Sequence, residues 1–268
     1  MQRHEFERWA RKSKRVILEG SAVRLFDAVN LYLAKEDRSV APHLRSDGYW
    51  ESWVSTWFAN VLDETSEPTM FIDIGAHLGY YSALATSFGA DVMPFEPNPR
   101  MVGLLRRSFE PYSVCSILAT DDVPHLKEMT IYDEYTGSST ALPVGELVGE
   151  FGPHSTVEVE AMRPNAQKRF CDVVDSDEYA RYIVKIDTEG AEEDVWNSLG
   201  SFLVTCRPIL FIEYTPGCYS KTFFKSLQEY GIVREINMHG TESYITEEEL
   251  NSRKDWTMIS VRPYEGVL

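Results

Sequence analysis

The sequence predicts an α/β chain of the Rossmann-like type, with a mostly parallel seven-stranded sheet, helices on both faces and an antiparallel C-terminal edge. Three observations carry this. From Met70 onward, short apolar runs alternate with stretches of helical period, the pattern of parallel strands joined by covering helices. The first run ends in an acidic residue and a glycine-framed turn, Asp73-Ile-Gly75-Ala-His-Leu-Gly79. The last two runs have no helical pattern between them, so they are expected to pair antiparallel.

Taken in order, Val23, Leu25, Phe26, Val29, Leu31, Tyr32 and Leu33 suggest a first helix over Val23–Lys35. A second is expected over Tyr49–Leu62, where Trp50, Trp53, Val54, Trp57, Phe58, Val61 and Leu62 share one broad face. Glu64–Pro68 is polar and contains a proline, and reads as a connector. Residues 1–66 thus form a helical N-terminal extension expected to pack on a Rossmann-like domain of residues 67–268. That domain's strands fall at Met70–Ile74, Ala90–Phe95, Val114–Ala119, Ile183–Ile186 and Ile209–Glu213. Helices are expected at about Tyr80–Phe88, Arg100–Phe109, Ala191–Leu199 and Thr222–Tyr230. Val233–Met238 and Trp256–Val261 supply the antiparallel edge. An insertion over about residues 120–170 carries two short strands, Met129–Tyr132 and Thr156–Glu160.

Composition narrows the function. The 268 residues, 43% of them hydrophobic, suffice for one large α/β core with an extension. Forty-two acidic against 26 basic residues give a formal charge of −16. An acidic surface repels phosphate backbones, which disfavours nucleic acid and anionic membranes as partners. Cys115, Cys171, Cys206 and Cys218 form no CxxC pair and no zinc spacing, so free thiols in a reducing compartment are expected. The N-terminus lacks the apolar core of a signal peptide, and no stretch reaches the roughly 18–20 apolar residues of a membrane span. These features predict a cytoplasmic protein working on a small molecule; a homodimer is compatible with them.

The glycine turn predicts a cofactor. Glycines permit φ > 0 and let a ligand lie against bare backbone. The DxGxxxG spacing differs from the GxGxxG of dinucleotide binders, whose close glycines make room for a pyrophosphate. It suits S-adenosylmethionine, which has no phosphate and whose amino-acid end is zwitterionic. Asp73 is expected to accept from the ammonium, directly or through water. Backbone N–H groups of Gly75, Ala76, His77 and Gly79 would face the carboxylate end. Glu96, in Phe95-Glu-Pro-Asn98-Pro99, ends the next strand 23 residues beyond Asp73 and can chelate both ribose hydroxyls, with Asn98 beside it. Thr120 and Asp121 are candidates for the adenine edge, and equally ordinary turn formers.

A second cluster marks the reaction centre. Lys185, Asp187 and Glu189 close one apolar strand and Glu213 closes the next, at the carboxyl ends where open α/β sheets bind ligands. Lys185 and Asp187 point to the same side of their strand. In transfer to a hydroxyl, Asp187 or Glu213 would orient the acceptor oxygen while Lys185 tunes their ionisation. His239 is a second candidate base, though an exposed turn histidine is the commoner meaning of its setting. A magnesium-assisted variant through Asp187, Glu189 and Glu213 is allowed by hard-oxygen chemistry, but no metal is predicted.

These residues resemble the FkbM family of methyltransferases, from Asp47-Gly-Tyr-Trp-Glu51 through the tail. The likeness rests on FIDIGAHLGYYS (Phe71–Ser82), FEPNP (Phe95–Pro99), Ser138-Ser139, VKIDTEGAEEDVW (Val184–Trp196) and PILFIE (Pro208–Glu213). It implies a class I methyltransferase fold, S-adenosylmethionine as donor with S-adenosylhomocysteine as product, and O-methylation of sugar or secondary-metabolite hydroxyls. It also implies that Asp187, Glu189 and Glu192 surround the active site. His77 stands where the family commonly has asparagine, and Tyr214-Thr-Pro216 replaces a frequent histidine. Leu104–Ser108 lacks the asparagines often found there. Two alternatives compete: a ribose 2′-O-methyltransferase on RNA, which the charge opposes, and a catalytically silent donor-binding protein, which the intact turn opposes.

Overall fold

The computed structural model describes residues 1–17, 21–109, 115, 119, 125–141 and 152–264. Residues 1–66 open with helix α1 (Arg3–Ser13), followed by a three-stranded antiparallel sheet of β1 (Arg15–Ile17), β2 (Ala22–Leu25) and β3 (Val29–Tyr32). The helix expected over Val23–Lys35 is therefore corrected to a hairpin. Val23, Leu25, Val29 and Leu31 are buried at alternate positions, a period of two, and Phe26 and Asp27 turn the chain with φ of 55° each. Two successive left-handed residues reverse a strand and cannot continue a helix. Helices α2 (Ala41–Ser46) and α3 (Ser52–Leu62) complete the region, α3 matching the expected aromatic helix.

The core domain follows as β4 (Thr69–Ile74), α4 (Tyr80–Ser87), β5 (Asp91–Phe95) and α5 (Pro99–Ser108). The insertion forms an antiparallel ribbon of β6 (His125–Tyr132) and β7 (His154–Ala161), longer than the expected strands, then α6 (Lys168–Val174). The chain returns through β8 (Arg181–Ile186), α7 (Glu192–Leu199), α8 (Ser201–Cys206), β9 (Ile209–Tyr214) and α9 (Phe223–Tyr230). It ends in β10 (Gly231–Ile236), β11 (Glu242–Ser243), a short α10 (Glu247–Asn251) and β12 (Thr257–Pro263).

The seven-stranded sheet runs β11-β10-β12-β9-β8-β4-β5. Strands β5, β4, β8 and β9 are parallel, and β12 enters antiparallel between β9 and β10. Of the expected strand Val114–Ala119, only Cys115 and Ala119 fall among the described residues; Cys115 makes a parallel bridge to Phe95.

Period two positions the site. Phe71, Ile183 and Phe211 face the core shared with the N-terminal region, where Phe58 packs on Phe71 (4.7 Å) and Phe211 (5.0 Å) between ring centroids. Ile72, Val184 and Ile212 face the opposite core under α7, α8 and α9. Register sets Asp73 opposite Lys185, and Lys185 opposite Phe211. The side chains two residues beyond Phe71, Ile183 and Phe211 are Asp73, Lys185 and Glu213, so strand alternation delivers polar groups to one face at the carboxyl edge. Among the described residues, no helix is long and apolar enough to cross a membrane.

Candidate active site

A cavity of about 470 Å³ opens over that edge. One end is the glycine turn. The N–H groups of Gly75 and Ala76 both donate to the Phe95 carbonyl (3.0 Å each), tying the turn to the end of β5. Gly75 has φ +80°, and a Cβ there would overlap the Asp187 carbonyl, so only glycine lets β4 pass the end of β8 this closely. Glu96 borders the cavity and accepts from the His77 N–H (2.8 Å) and the Asn98 N–H (2.7 Å), one on each oxygen. Each oxygen keeps a lone pair for a further donor. Burial pushes the Glu96 carboxyl up to about 7, against those two amides, which favour the charged form.

The other end is ionic. Lys185 is 3% exposed; its Nζ lies 2.8 Å from Asp187 Oδ2 and donates to the Gly75 carbonyl at 3.2 Å. Burial opposes its charge, yet Asp187 and Asp73 raise its pKa and hold it as ammonium. Asp187, Glu189 and Glu213 each bring one oxygen within 4.8 Å of the others. Burial pushes Glu189 and Glu213 well above the usual carboxylate range, and the neighbouring Asp187 adds to both. Protons therefore offset charge that Lys185 alone does not balance. This oxygen set has the composition a hard divalent cation takes, but the proton accounts for its closeness equally well.

Several expected residues take other positions. Asp73 is 1% exposed and does not line the cavity: Oδ2 accepts from the Ser82 hydroxyl (2.6 Å), and Oδ1 lies 3.9 Å from Lys185 with no hydrogen bond. It sits behind Lys185. Gly79 likewise stays off the wall; a Cβ there would press into Phe109 and Leu105, so it serves the packing of α4 on α5. Asn98 is buried and caps α5 by accepting from the Arg100 N–H (3.0 Å). Glu192, fully buried, clamps the turn after β8 by accepting from the Thr188 N–H (2.7 Å) and the Tyr219 hydroxyl (2.8 Å). His239 lies exposed in the turn after β10, off the cavity wall, because that turn leaves the sheet on the far side of β12. Thr120 and Asp121 lie outside the described residues. Gly75, Ala76, His77, Glu96, Lys185, Asp187 and Glu213 do share the cavity.

Sequence reasoning missed Glu51, Tyr81 and Thr136. Glu51 precedes α3 with φ 39° and accepts from the Tyr81 hydroxyl (2.7 Å); Tyr81 in turn lies under Lys185, 5.5 Å from ring centroid to Nζ. Burial, then Asp187, push Glu51 up to about 7. A single carboxylate inside an aromatic run, Tyr49-Trp-Glu-Ser-Trp53, was the available signal.

A mostly parallel sheet with a glycine turn, a strand-end carboxylate and a buried Lys–Asp pair around one cavity places the chain in the Rossmann-like class of α/β folds. The Methyltransferase FkbM domain model matches residues 73–228, more than half of the chain, and the chain belongs to this family. It is accordingly an S-adenosylmethionine-dependent methyltransferase of the class I fold. No curated protein matches the chain. Among solved structures it is similar to the plantazolicin methyltransferase BpumL in complex with SAH (9% identity, 84% of this chain and 89% of that one, TM-score 0.42). It is also similar to precorrin-6y C5,15-methyltransferase from Geobacter metallireducens GS-15 (11%, 79% and 88%, TM-score 0.37). A third is an S-adenosylmethionine-dependent methyltransferase from Agrobacterium tumefaciens (12%, 94% and 71%, TM-score 0.37). The donor set suits the cofactor: bare backbone at Gly75, lone pairs on Glu96 and a wall rich in carboxyl oxygens for a cationic ligand.

Proposed function

We propose that the chain methylates a hydroxyl oxygen of a small molecule, a sugar or secondary metabolite. The observation that carries this is the single cavity joining the glycine turn and Glu96 to the Lys185–Asp187–Glu213 centre. Its volume of about 470 Å³ is in the range of small-ligand sites. The donor would supply a methyl group on a cationic sulfur. The turn from Gly75 to Leu78 would carry its amino-acid end and Glu96 its ribose, with Asp73 acting through Lys185 and not by contact.

The acceptor would enter beneath Trp50, Tyr81 and Trp256, which border the same cavity. Asp187 would take the hydrogen bond, and then the proton, of the attacking hydroxyl, with the Lys185 ammonium 2.8 Å away holding it in place. Glu213, holding its own proton, would orient the substrate as a neutral donor. The charge of −16 and the acidic cavity wall count against RNA as the acceptor. Four unpaired thiols support a reducing, cytoplasmic setting.

Isothermal titration with S-adenosylhomocysteine, with NAD as control, tests the donor half. Micromolar or tighter binding is expected for the first and none for the second. Labelled-methyl transfer to a panel of hydroxylated and amine acceptors tests the rest. Transfer confined to nitrogen would overturn the O-methylation reading.

A further inference from the structure

His77, Thr136 and Asp37 come from three distant stretches and form a hydrogen-bonded chain at the donor end of the cavity. His77 Nε2 lies 2.7 Å from Thr136 Oγ1, and Thr136 Oγ1 lies 3.0 Å from Asp37 Oδ1. Asp37 is 2% exposed and receives four more hydrogen bonds: the Ser39 N–H and hydroxyl on Oδ1, and the Val40 and Ala41 N–H groups on Oδ2. Every partner is a donor, so Asp37 is the acceptor-only carboxylate. Although burial opposes it, the hydrogen bonds from Ala41 and Ser39 help hold Asp37 below its ordinary value.

The hydrogen count then settles the tautomer. Thr136 has one hydroxyl hydrogen, and the carboxylate takes it. The hydrogen between Thr136 and His77 must therefore come from Nε2–H. Burial lowers the His77 pKa, so the ring is neutral and Nδ1 keeps its lone pair. No described residue donates to Nδ1. His77 borders the cavity with φ +50°, and its own N–H is bonded to Glu96, which places it beside the proposed ribose carboxylate.

We propose that the Asp37–Thr136 pair holds His77 in its Nε2–H form so that Nδ1 accepts a hydroxyl hydrogen from the ribose of the methyl donor. This rests on the reading of the Glu96 end as the donor site. Glu96 already spends one lone pair of each oxygen on main-chain amides, and Nδ1 supplies a further acceptor at that end.

Two measurements test it on the full chain. Long-range ¹⁵N–¹H correlation spectra at neutral pH, with His77 assigned by its loss in His77→Asn, should show the Nε2–H tautomer. A Nδ1–H or imidazolium signal overturns the proposal. Titration with S-adenosylhomocysteine should show about five- to tenfold weaker binding for Thr136→Val and for His77→Asn, with Thr136→Ser restoring it. For the 2′- and 3′-deoxyribose analogues, the effect should shrink to less than about twofold with one of the two, since the partner hydroxyl is then already gone. Equal losses with all three ligands would mean a latch without ribose contact and overturn the proposal, as would unchanged binding in folded variants. Absence of S-adenosylhomocysteine binding by the wild type would overturn the donor reading itself.

Discussion

The two ends of the cavity are built from different materials. At the proposed donor end the work falls to backbone: a glycine turn tied to the Phe95 carbonyl, and a carboxylate fixed by two main-chain amides. At the reaction end it falls to ionisable side chains, with Lys185 paired to Asp187 and three carboxylic oxygens crowded together. The backbone contacts of the donor end hold their geometry whatever the pH, so pH reaches that end through side chains such as Glu96. The reaction end depends throughout on which of its groups keep a proton. The donor end should therefore govern affinity and the reaction end turnover, and mutations should separate the two.

The largest separation is expected for Asp187→Asn. Loss of the proposed proton acceptor should reduce kcat by about 10²–10⁴-fold while S-adenosylhomocysteine affinity stays within about threefold. Single-turnover assays together with titration measure both. A comparable loss of affinity would erase the distinction between the ends.

The mirror-image variant is Glu96→Gln. The amide nitrogen would face the Asn98 or His77 N–H, donor against donor, and the anionic acceptor for ribose would be gone. Donor affinity should fall by about 10- to 100-fold, with kcat at saturating donor little changed. A collapse of kcat with intact affinity would move Glu96 to the reaction end.

How much of each end was legible in the sequence follows from the same contrast. The donor turn is contiguous, so Asp73-Gly75-Gly79 and Glu96 announce it locally. Lys185, Asp187 and Glu213 were equally readable, because strand alternation and register carry them to one edge. Asp37, Glu51 and Thr136 were not, since only tertiary packing of segments remote from the motifs brings Glu51 and Thr136 to the cavity wall and Asp37 behind Thr136. Gly79 and Asn98 were read as cofactor contacts, and in the fold they carry packing and capping; their residue types suit either use. The Val23–Lys35 hairpin was missed because eight apolar residues in eleven fit a loose helical stripe as well as a strand pair. Only the left-handed Phe26 and Asp27 break the tie; aspartate takes that region more readily than most residues, but a bulky phenylalanine there gives no signal.

Glu213 tests the ionic end more finely. Burial and its acidic neighbours keep the proton on it, and glutamine has the shape of a protonated carboxyl. Glu213→Gln should therefore cost no more than about threefold in kcat, far less than Asp187→Asn. A loss as large as that of Asp187→Asn would make Glu213 the working base.

The smallest effect is on stability, and its sign is fixed by Glu51. Burial, reinforced by Asp187, raises the folded-state pKa to about 7 from an ordinary 4.5. The folded chain holds this proton more tightly than the unfolded chain does. The contribution is complete below about 4.5, where both states are protonated, and it is lost as pH rises through about 7. Glutamine cannot ionise, and its side chain can still accept from the Tyr81 hydroxyl. Melting curves of wild type and Glu51→Gln should therefore nearly coincide at pH 4.5, while the variant gains about 2–4 °C by pH 8. A difference that stays constant with pH would place the Glu51 proton outside the folding equilibrium and leave Asp187 and Lys185 to carry the charge balance of that end alone.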